Sequence, residues 1–278
     1  HQWPDITPHF SLYTESILAN TFPSNNYPVK IETSISARLN EDLQETINYY
    51  ISISGDSRIT NGAGIIINNR SGEILAYLGS ANFNDNSNSG QIDGVQILNQ
   101  PGSTLKPFLY ALGIEMGYRP NSVLPDIPSK FGSTELYQPM NFDGKFHGPV
   151  LLRVALASSL NIPAVFMINS VGVDNFTDFL IKIGFKSLIR QREYVGTGLA
   201  LGNAEVSLFE LTRAFSIFPR GGKFLTLTPF KENSGLPDLN NHEKFSLKPY
   251  TAGIIQDILS DNNSRYMGFG ENNIMDTS

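Results

Sequence analysis

Leu39, Leu43 and Ile47 recur every four residues along the run from Ala37 to Ile47. That spacing is one apolar face of an amphipathic helix, and Ser36 stands where its cap belongs. Ahead of it, residues 1–32 carry Pro4, Pro8, Pro23 and Pro28 among aromatic residues. They read as an extended lead-in with one short helix around Phe10–Asn20. The pattern then shortens to strand length. Gly62–Ile67 and Glu73–Gly79 are short apolar runs, and Asn68-Asn69-Arg70-Ser71-Gly72 between them is turn chemistry, so a hairpin is predicted. Residues 80–100 are rich in Asn, Ser and Gly and read as a surface loop.

Helical stripes dominate the rest. Leu105, Phe108, Leu109 and Leu112 form the buried face of a helix predicted from Ser103 to about Gly117. Residues 119–149, with Pro and Gly every few positions, read as irregular. A helix is predicted from Val150 to about Ser159, with Val150, Val154 and Leu156 toward the core. Pro163 biases Ile162 away from helix, and a further helix runs on to about Ser170. Another spans Asp174 to about Ile183 and is ended by Gly184. Leu208, Leu211, Phe215 and Phe218 make the next stripe, residues 230–249 read as a polar loop, and Tyr250–Leu259 is the last helix. There is no internal repeat.

Composition narrows the function classes. At 278 residues the chain is long for one compact unit, and two packed subdomains are expected. A net charge of −6 and the lack of any basic run argue against nucleic acid as a partner. No apolar stretch reaches the length of a membrane span, and no signal peptide is visible. The chain starts at His1, so it reads as a processed product or an excised piece. Without cysteine, thiol catalysis, disulfides and thiolate metal sites are excluded. His1, His9, His147 and His242 show no paired metal spacing, so neither metal nor cofactor is expected.

The candidate chemistry starts in Gln100-Pro101-Gly102-Ser103-Thr104-Leu105-Lys106-Pro107. Ser103 and Lys106 are three apart and share a helix face. A serine needs an adjacent base to act as nucleophile near neutral pH. A lysine can be that base once burial or positive charge lowers its pKa. Pro107, without an N–H, fits near a helix start and puts Ser103 at the helix mouth. A chain with ten lysines should hold about one S-x-x-K by chance, so the surroundings decide. A second piece is Ser159-Leu160-Asn161, a tight inter-helix corner. There Ser159 is placed to relay a proton, and Asn161 offers a donor and an acceptor to a peptide-like substrate. The alternative is that Ser159 caps a helix end and Asn161 satisfies the corner's backbone.

Five blocks decide between these readings: Gly90–Val95, Gln100–Phe108, Asn141–Pro149, Arg153–Val165 and Gly198–Ser207. In their order and spacing the chain resembles the transpeptidase domains of bifunctional, class A penicillin-binding proteins, and among them the 1C type. The resemblance covers roughly residues 5–278. It implies an α/β (α+β) fold of the penicillin-binding-protein and serine β-lactamase kind, with a helical subdomain and a central antiparallel sheet. Residues 1–60 would be a lead-in with the first helices and 61–278 the transpeptidase domain. It also implies that Ser103 is the acyl-accepting nucleophile, Lys106 its base, Ser159 the proton relay to the leaving amine and Asn161 a donor-peptide ligand. The Ser103 N–H would be one arm of the oxyanion hole. The implied reaction is D-alanyl-D-alanine transpeptidation of peptidoglycan stem peptides from lipid II-derived strands, inhibited by β-lactams. The implied setting is extracytoplasmic, on the periplasmic face of the inner membrane. An upstream glycosyltransferase domain, an anchor and cell-wall assembly partners would belong to the parent protein.

The family's third motif, K-[TS]-G, is absent, since no lysine is followed by Thr-Gly or Ser-Gly. In relatives it supplies the substrate-carboxylate site and the second oxyanion arm. The chain therefore reads as truncated just short of it, with an incomplete central sheet and an exposed hairpin edge. As it stands it is expected to form acyl-enzyme slowly. The alternative is a non-catalytic fragment or pseudoenzyme that docks in a cell-wall assembly. A β-lactamase fits less well, because residues 119–149 follow the synthase pattern.

Overall fold

A computed structural model of the chain describes residues 6–22, 30–129, 139–231 and 246–270. In chain order its main elements are α1 (Pro8–Thr21), α2 (Ala37–Ile53), β1 (Gly64–Ile67), β2 (Ile74–Leu78), α3 (Lys106–Glu115), β3 (Val123–Asp126) and β4 (Gly148–Leu151). They continue with α4 (Leu152–Ala157), α5 (Asn161–Val171), α6 (Val173–Lys182), α7 (Leu208–Phe215) and α8 (Pro249–Ser260). The chain divides into two compact units, one of residues 1–98, 207–216 and 225–244, the other of 99–206, 217–224 and 245–278.

The first unit holds the predicted hairpin. β1 and β2 pair antiparallel with Gly64 opposite Leu78 and Ile65 opposite Tyr77. The turn forms as its residues dictate. Asn68 Oδ1 accepts from the backbone N–H groups of Arg70 and Ser71, and Gly72 takes a left-handed φ of +82°. Phe10 of α1, Ile74 and Tyr77 of β2, Val95, Leu225 and Leu227 make the core, with Leu208 and Phe209 of α7 packed on it. Ser36 caps α2 as expected, accepting from Leu39 N–H at 3.4 Å, and the helix runs six residues past Ile47, to Ile53. α7 opens with a capping box, in which Ser207 and Glu210 each accept from the other's backbone N–H.

The second unit is mainly helical and carries the candidate chemistry. α5 is buried nearly all round, through Ile162, Pro163, Ala164, Val165, Met167, Ile168 and Val171, which makes it a central core helix. α3 packs beside it and buries Phe108 between Phe185 (ring centroids 5.6 Å) and Phe218 (5.3 Å). Among the described residues no single helix is long and apolar enough to cross a membrane.

Other boundaries also differ from the sequence reading. Residues 123–126 and 148–151, expected to lie in an irregular stretch and at a helix start, pair as an antiparallel ladder with Pro125 opposite Pro149. Val150 is therefore a strand residue, and α4 begins only at Leu152. Ile162 is helical despite Pro163, because Pro163 lies in the first turn of α5, where a backbone N–H has no intrahelical partner. Much of the predicted polar loop at 230–249 lies outside the described residues.

Candidate active site

Ser103 is not in the first turn of an α-helix. Gly102–Leu105 form a 3₁₀ turn, and α3 starts at Lys106. Pro107 explains the difference. An α-helix would need the N–H of residue 107 on Ser103 O, and proline has none. Lys106 N–H, one residue nearer, donates to Ser103 O instead. Residues three apart eclipse in a 3₁₀ turn, so Ser103 and Lys106 stay on one side. Ser103 is exposed, whereas Lys106 is 1% exposed. Among the described residues nothing accepts from the Ser103 N–H.

The 3₁₀ turn rests on another glycine. Gly202, with φ +75°, lies so close to Gly102 that a Cβ there would stand 2.1 Å from Gly102 O and 2.5 Å from Gly102 N. Gly102 itself has φ +58°. The backbone just before Ser103 is thus seated against the end of the Thr197–Leu201 turn.

Lys106 Nζ does not bond Ser103 Oγ, although the S-x-x-K spacing puts the two groups on one side. It donates to Ser159 O (2.6 Å), Ser159 Oγ (3.1 Å) and Asn161 Oδ1 (2.7 Å). All three partners are uncharged. Burial away from water pushes the amine down from its ordinary value to about 7. Two of the acceptors, Ser159 O and Asn161 Oδ1, only accept, and they satisfy the two N–H groups of a neutral amine. The Ser159 hydroxyl can donate as well as accept, so it can donate to the lone pair of the neutral amine, which is then fully satisfied, and turning that hydroxyl away frees the lone pair for an incoming proton.

The corner that brings Ser159 and Asn161 to Lys106 is the end of α4. Leu160 N–H donates to Ala155 O (2.9 Å) and Ser159 N–H to Leu156 O (3.0 Å), which is the Schellman arrangement. Its pivot residue is usually glycine. Here it is Ser159, at φ +54°, a conformation that costs a side-chain-bearing residue roughly 1–2 kcal/mol. The corner is braced from below. Ser158 Oγ donates to Ser264 O (3.0 Å), a Cβ on Gly268 would meet Ser158 O at 2.2 Å, and Arg153 is paired with Asp257 and Asp261. Replacing Ser159 by glycine is expected to relieve the strain and raise unfolding stability by about 1 kcal/mol, read as a higher denaturant midpoint.

Asn161 opens α5 and does more than satisfy the corner. Its Nδ2 donates to Met140 O (2.7 Å) and its backbone N–H donates to Asn141 Oδ1 (2.8 Å). Asn141 Nδ2 in turn donates to Lys145 O (2.8 Å) and to both carboxylate oxygens of Asp126 (3.0 and 2.8 Å). Asp126, fully buried at the end of β3, also accepts from His147 N–H (2.9 Å). The structure thus joins Lys106, Ser159 and Asn161 directly, with Ser103 exposed on the adjoining turn. The sequence alone assigns no role to Asp126 or Asn141. The one signal is that Asn141 opens the Asn141–Pro149 block, one of those that carry the family resemblance. No group of three or more His, Cys, Asp or Glu side chains suited to a metal occurs among the described residues.

Comparison with known proteins identifies the family. Residues 62–275 match the penicillin-binding protein transpeptidase domain. Penicillin-binding protein 1C of Escherichia coli (strain K12) is 34% identical over 196 residues, 70% of this chain and 25% of that protein. Penicillin-binding protein 1A of Haemophilus influenzae is 34% identical over 170 residues, 60% of this chain and 19% of that protein. The crystal structure of the Haemophilus influenzae penicillin-binding protein 1A superposes with a TM-score of 0.62 at 26% identity, covering 72% of this chain and 35% of that one. PonA1 from Mycobacterium tuberculosis shares the fold at 16% identity, with a TM-score of 0.72 over 91% of this chain and 68% of that one. The chain spans a quarter or less of the length of the curated relatives it matches. With its fold, its S-x-x-K turn and a matched domain over most of its length, the chain belongs to the penicillin-binding-protein transpeptidase family.

Proposed function

We propose that the chain is the transpeptidase portion of a peptidoglycan synthase, working through a covalent acyl-enzyme on Ser103. The observation that carries this reading is the buried Lys106 amine. It has only neutral partners and sits on the turn that presents an exposed serine. In the proposed first step Ser103 Oγ attacks the carbonyl carbon of the penultimate D-alanine of a stem peptide. Its proton passes to the lone pair of Lys106 Nζ. The Ser103 N–H, without a partner among the described residues, donates to the developing oxyanion. As the tetrahedral intermediate collapses, the C–N bond breaks. Terminal D-alanine leaves with a proton delivered from Lys106 through Ser159 Oγ, 3.1 Å away. The amine of a neighbouring strand then attacks the ester, a new amide forms, and Ser103 regains its proton. A β-lactam would acylate Ser103 in the same way, but its amine stays tethered. Asn161, with one amide proton and one lone pair uncommitted, is placed to hold the donor peptide.

This chemistry belongs on the periplasmic face of the inner membrane, in a parent protein with a glycosyltransferase domain. The test is prolonged incubation with a fluorescent penicillin, followed by digestion and mass spectrometry. The expected result is one adduct, on the peptide containing Ser103. No adduct, or an adduct elsewhere with Ser103 free, overturns the proposal.

A further inference from the structure

The polar chain that runs from Lys106 does not stop at Asn161. Asn141 spends its whole side chain inside the protein. Its oxygen accepts from Asn161 N–H, and its amide donates to Lys145 O and to the Asp126 carboxylate. Asp126 offers only acceptors when ionised. An amide turned the other way would set its oxygen against that carboxylate and its NH₂ against the Asn161 N–H. One orientation of Asn141 is therefore enforced. Asn161 is oriented the same way at its own amide, because Met140 O takes Nδ2 and leaves Oδ1 for Lys106 Nζ. Met140 and Asn141 are adjacent, so a single backbone segment fixes both the N–H and the side chain of Asn161.

We propose that Asp126 and Asn141 are positioning residues: the buried carboxylate locks the Asn141 amide, which holds Asn161 with its side-chain oxygen against Lys106 Nζ. Neither touches the reacting atoms. They act through Asn161 and set where the base stands relative to Ser103. This rests on the proposed roles of Ser103 and Lys106.

The pair can be tested by exchanging its polarity. Asn141→Asp alone opposes two buried carboxylates across 2.8–3.0 Å and turns a third acceptor toward Lys145 O. Acylation by a fluorescent penicillin is expected to slow by about tenfold or more. Adding Asp126→Asn restores one donor facing one acceptor and keeps an oxygen for both Asn161 N–H and His147 N–H. The double variant is expected to recover most of the lost rate. Folded Asn141→Asp protein with wild-type acylation, or a folded double variant no faster than Asn141→Asp, overturns the proposal. Should Asn141→Asp not fold, Asn141→Ala replaces it, and a folded Asn141→Ala protein acylating at the wild-type rate overturns it equally.

A second readout does not need the acylation step. The double variant moves the negative charge one residue closer to Lys106. The Lys106 ¹³Cε resonance of lysine-labelled protein should then titrate at higher pH than the wild-type midpoint of about 7. An unmoved midpoint also overturns the proposal. If wild-type protein gives no Ser103 adduct but this midpoint moves, the functional reading fails and the positioning network stands.

Discussion

Replacing Lys106 by methionine is expected to slow β-lactam acylation about 10²–10⁴-fold, the usual worth of a positioned general base. Methionine is unbranched, nearly as long and suited to a buried site, so the loss reports the amine rather than the packing. In the wild-type chain the neutral fraction of an amine with a pKa of about 7 grows as pH rises to that value and then saturates. The acylation rate should therefore climb about tenfold per pH unit below about 7 and flatten above it. The residual rate of Lys106→Met should show no such limb.

Stability carries the same signature. Between about 7 and the ordinary 10.5 the unfolded chain holds a proton on this amine that the folded chain has released. Unfolding then takes up a proton, so stability rises with pH across that window. Lys106→Met removes that part of the slope. The checks are stopped-time labelling and denaturant midpoints across the pH range. A wild-type acylation profile that is flat from about pH 5 to 9, or that has its midpoint near the ordinary lysine value, would contradict the assignment.

Gly202→Ala should do comparable damage from outside the polar network. Left-handed backbone costs an alanine about 1–2 kcal/mol. The added methyl would also stand 2.1 Å from Gly102 O, which no side-chain adjustment relieves. The backbone must move, and the part that moves leads directly into Ser103. Acylation is expected to fall on the order of 10²-fold, the scale of a misplacement near 1 Å, with a clear loss of stability. Gly221→Ala is the matched comparison. Gly221 has φ +63°, and a methyl placed on it would meet nothing within 4 Å. That substitution carries the backbone cost alone and should leave acylation near wild type. Equal effects of the two substitutions on acylation would show that the close approach at Gly102 is not what seats Ser103.

Helices were legible wherever local rules sufficed. The Leu39–Leu43–Ile47 spacing and Ser36 gave α2 its face and its start, and apolar runs flanking an Asn/Gly turn marked the β1–β2 hairpin. The β3–β4 ladder was hidden because its strands are four residues each and carry facing prolines, which read locally as breakers. Their pairing depends on residues more than twenty positions apart. The same division runs through the site. Spacing put Ser103 and Lys106 on one side of a turn, and the family blocks selected Ser159 and Asn161. The partner of Lys106 was not readable from spacing, because Nζ reaches residues 53 and 55 positions away and not the serine three positions before it. Asp126 lies in the stretch that reads as irregular, where nothing local marks it out. Its burial, and the amide that justifies it, exist only once β3 and the Asn141 turn are folded together.

The left-handed serine at the α4–α5 corner has a consequence for directed evolution. A library of this chain screened for heat resistance alone should enrich glycine at position 159, since glycine removes the backbone penalty there. The same library sorted on retained fluorescent penicillin should keep serine, whose hydroxyl is the one donor-capable partner of Lys106 among the described residues. Position 159 would thus separate the two selections: the clones that survive heating best would be those least able to capture the drug.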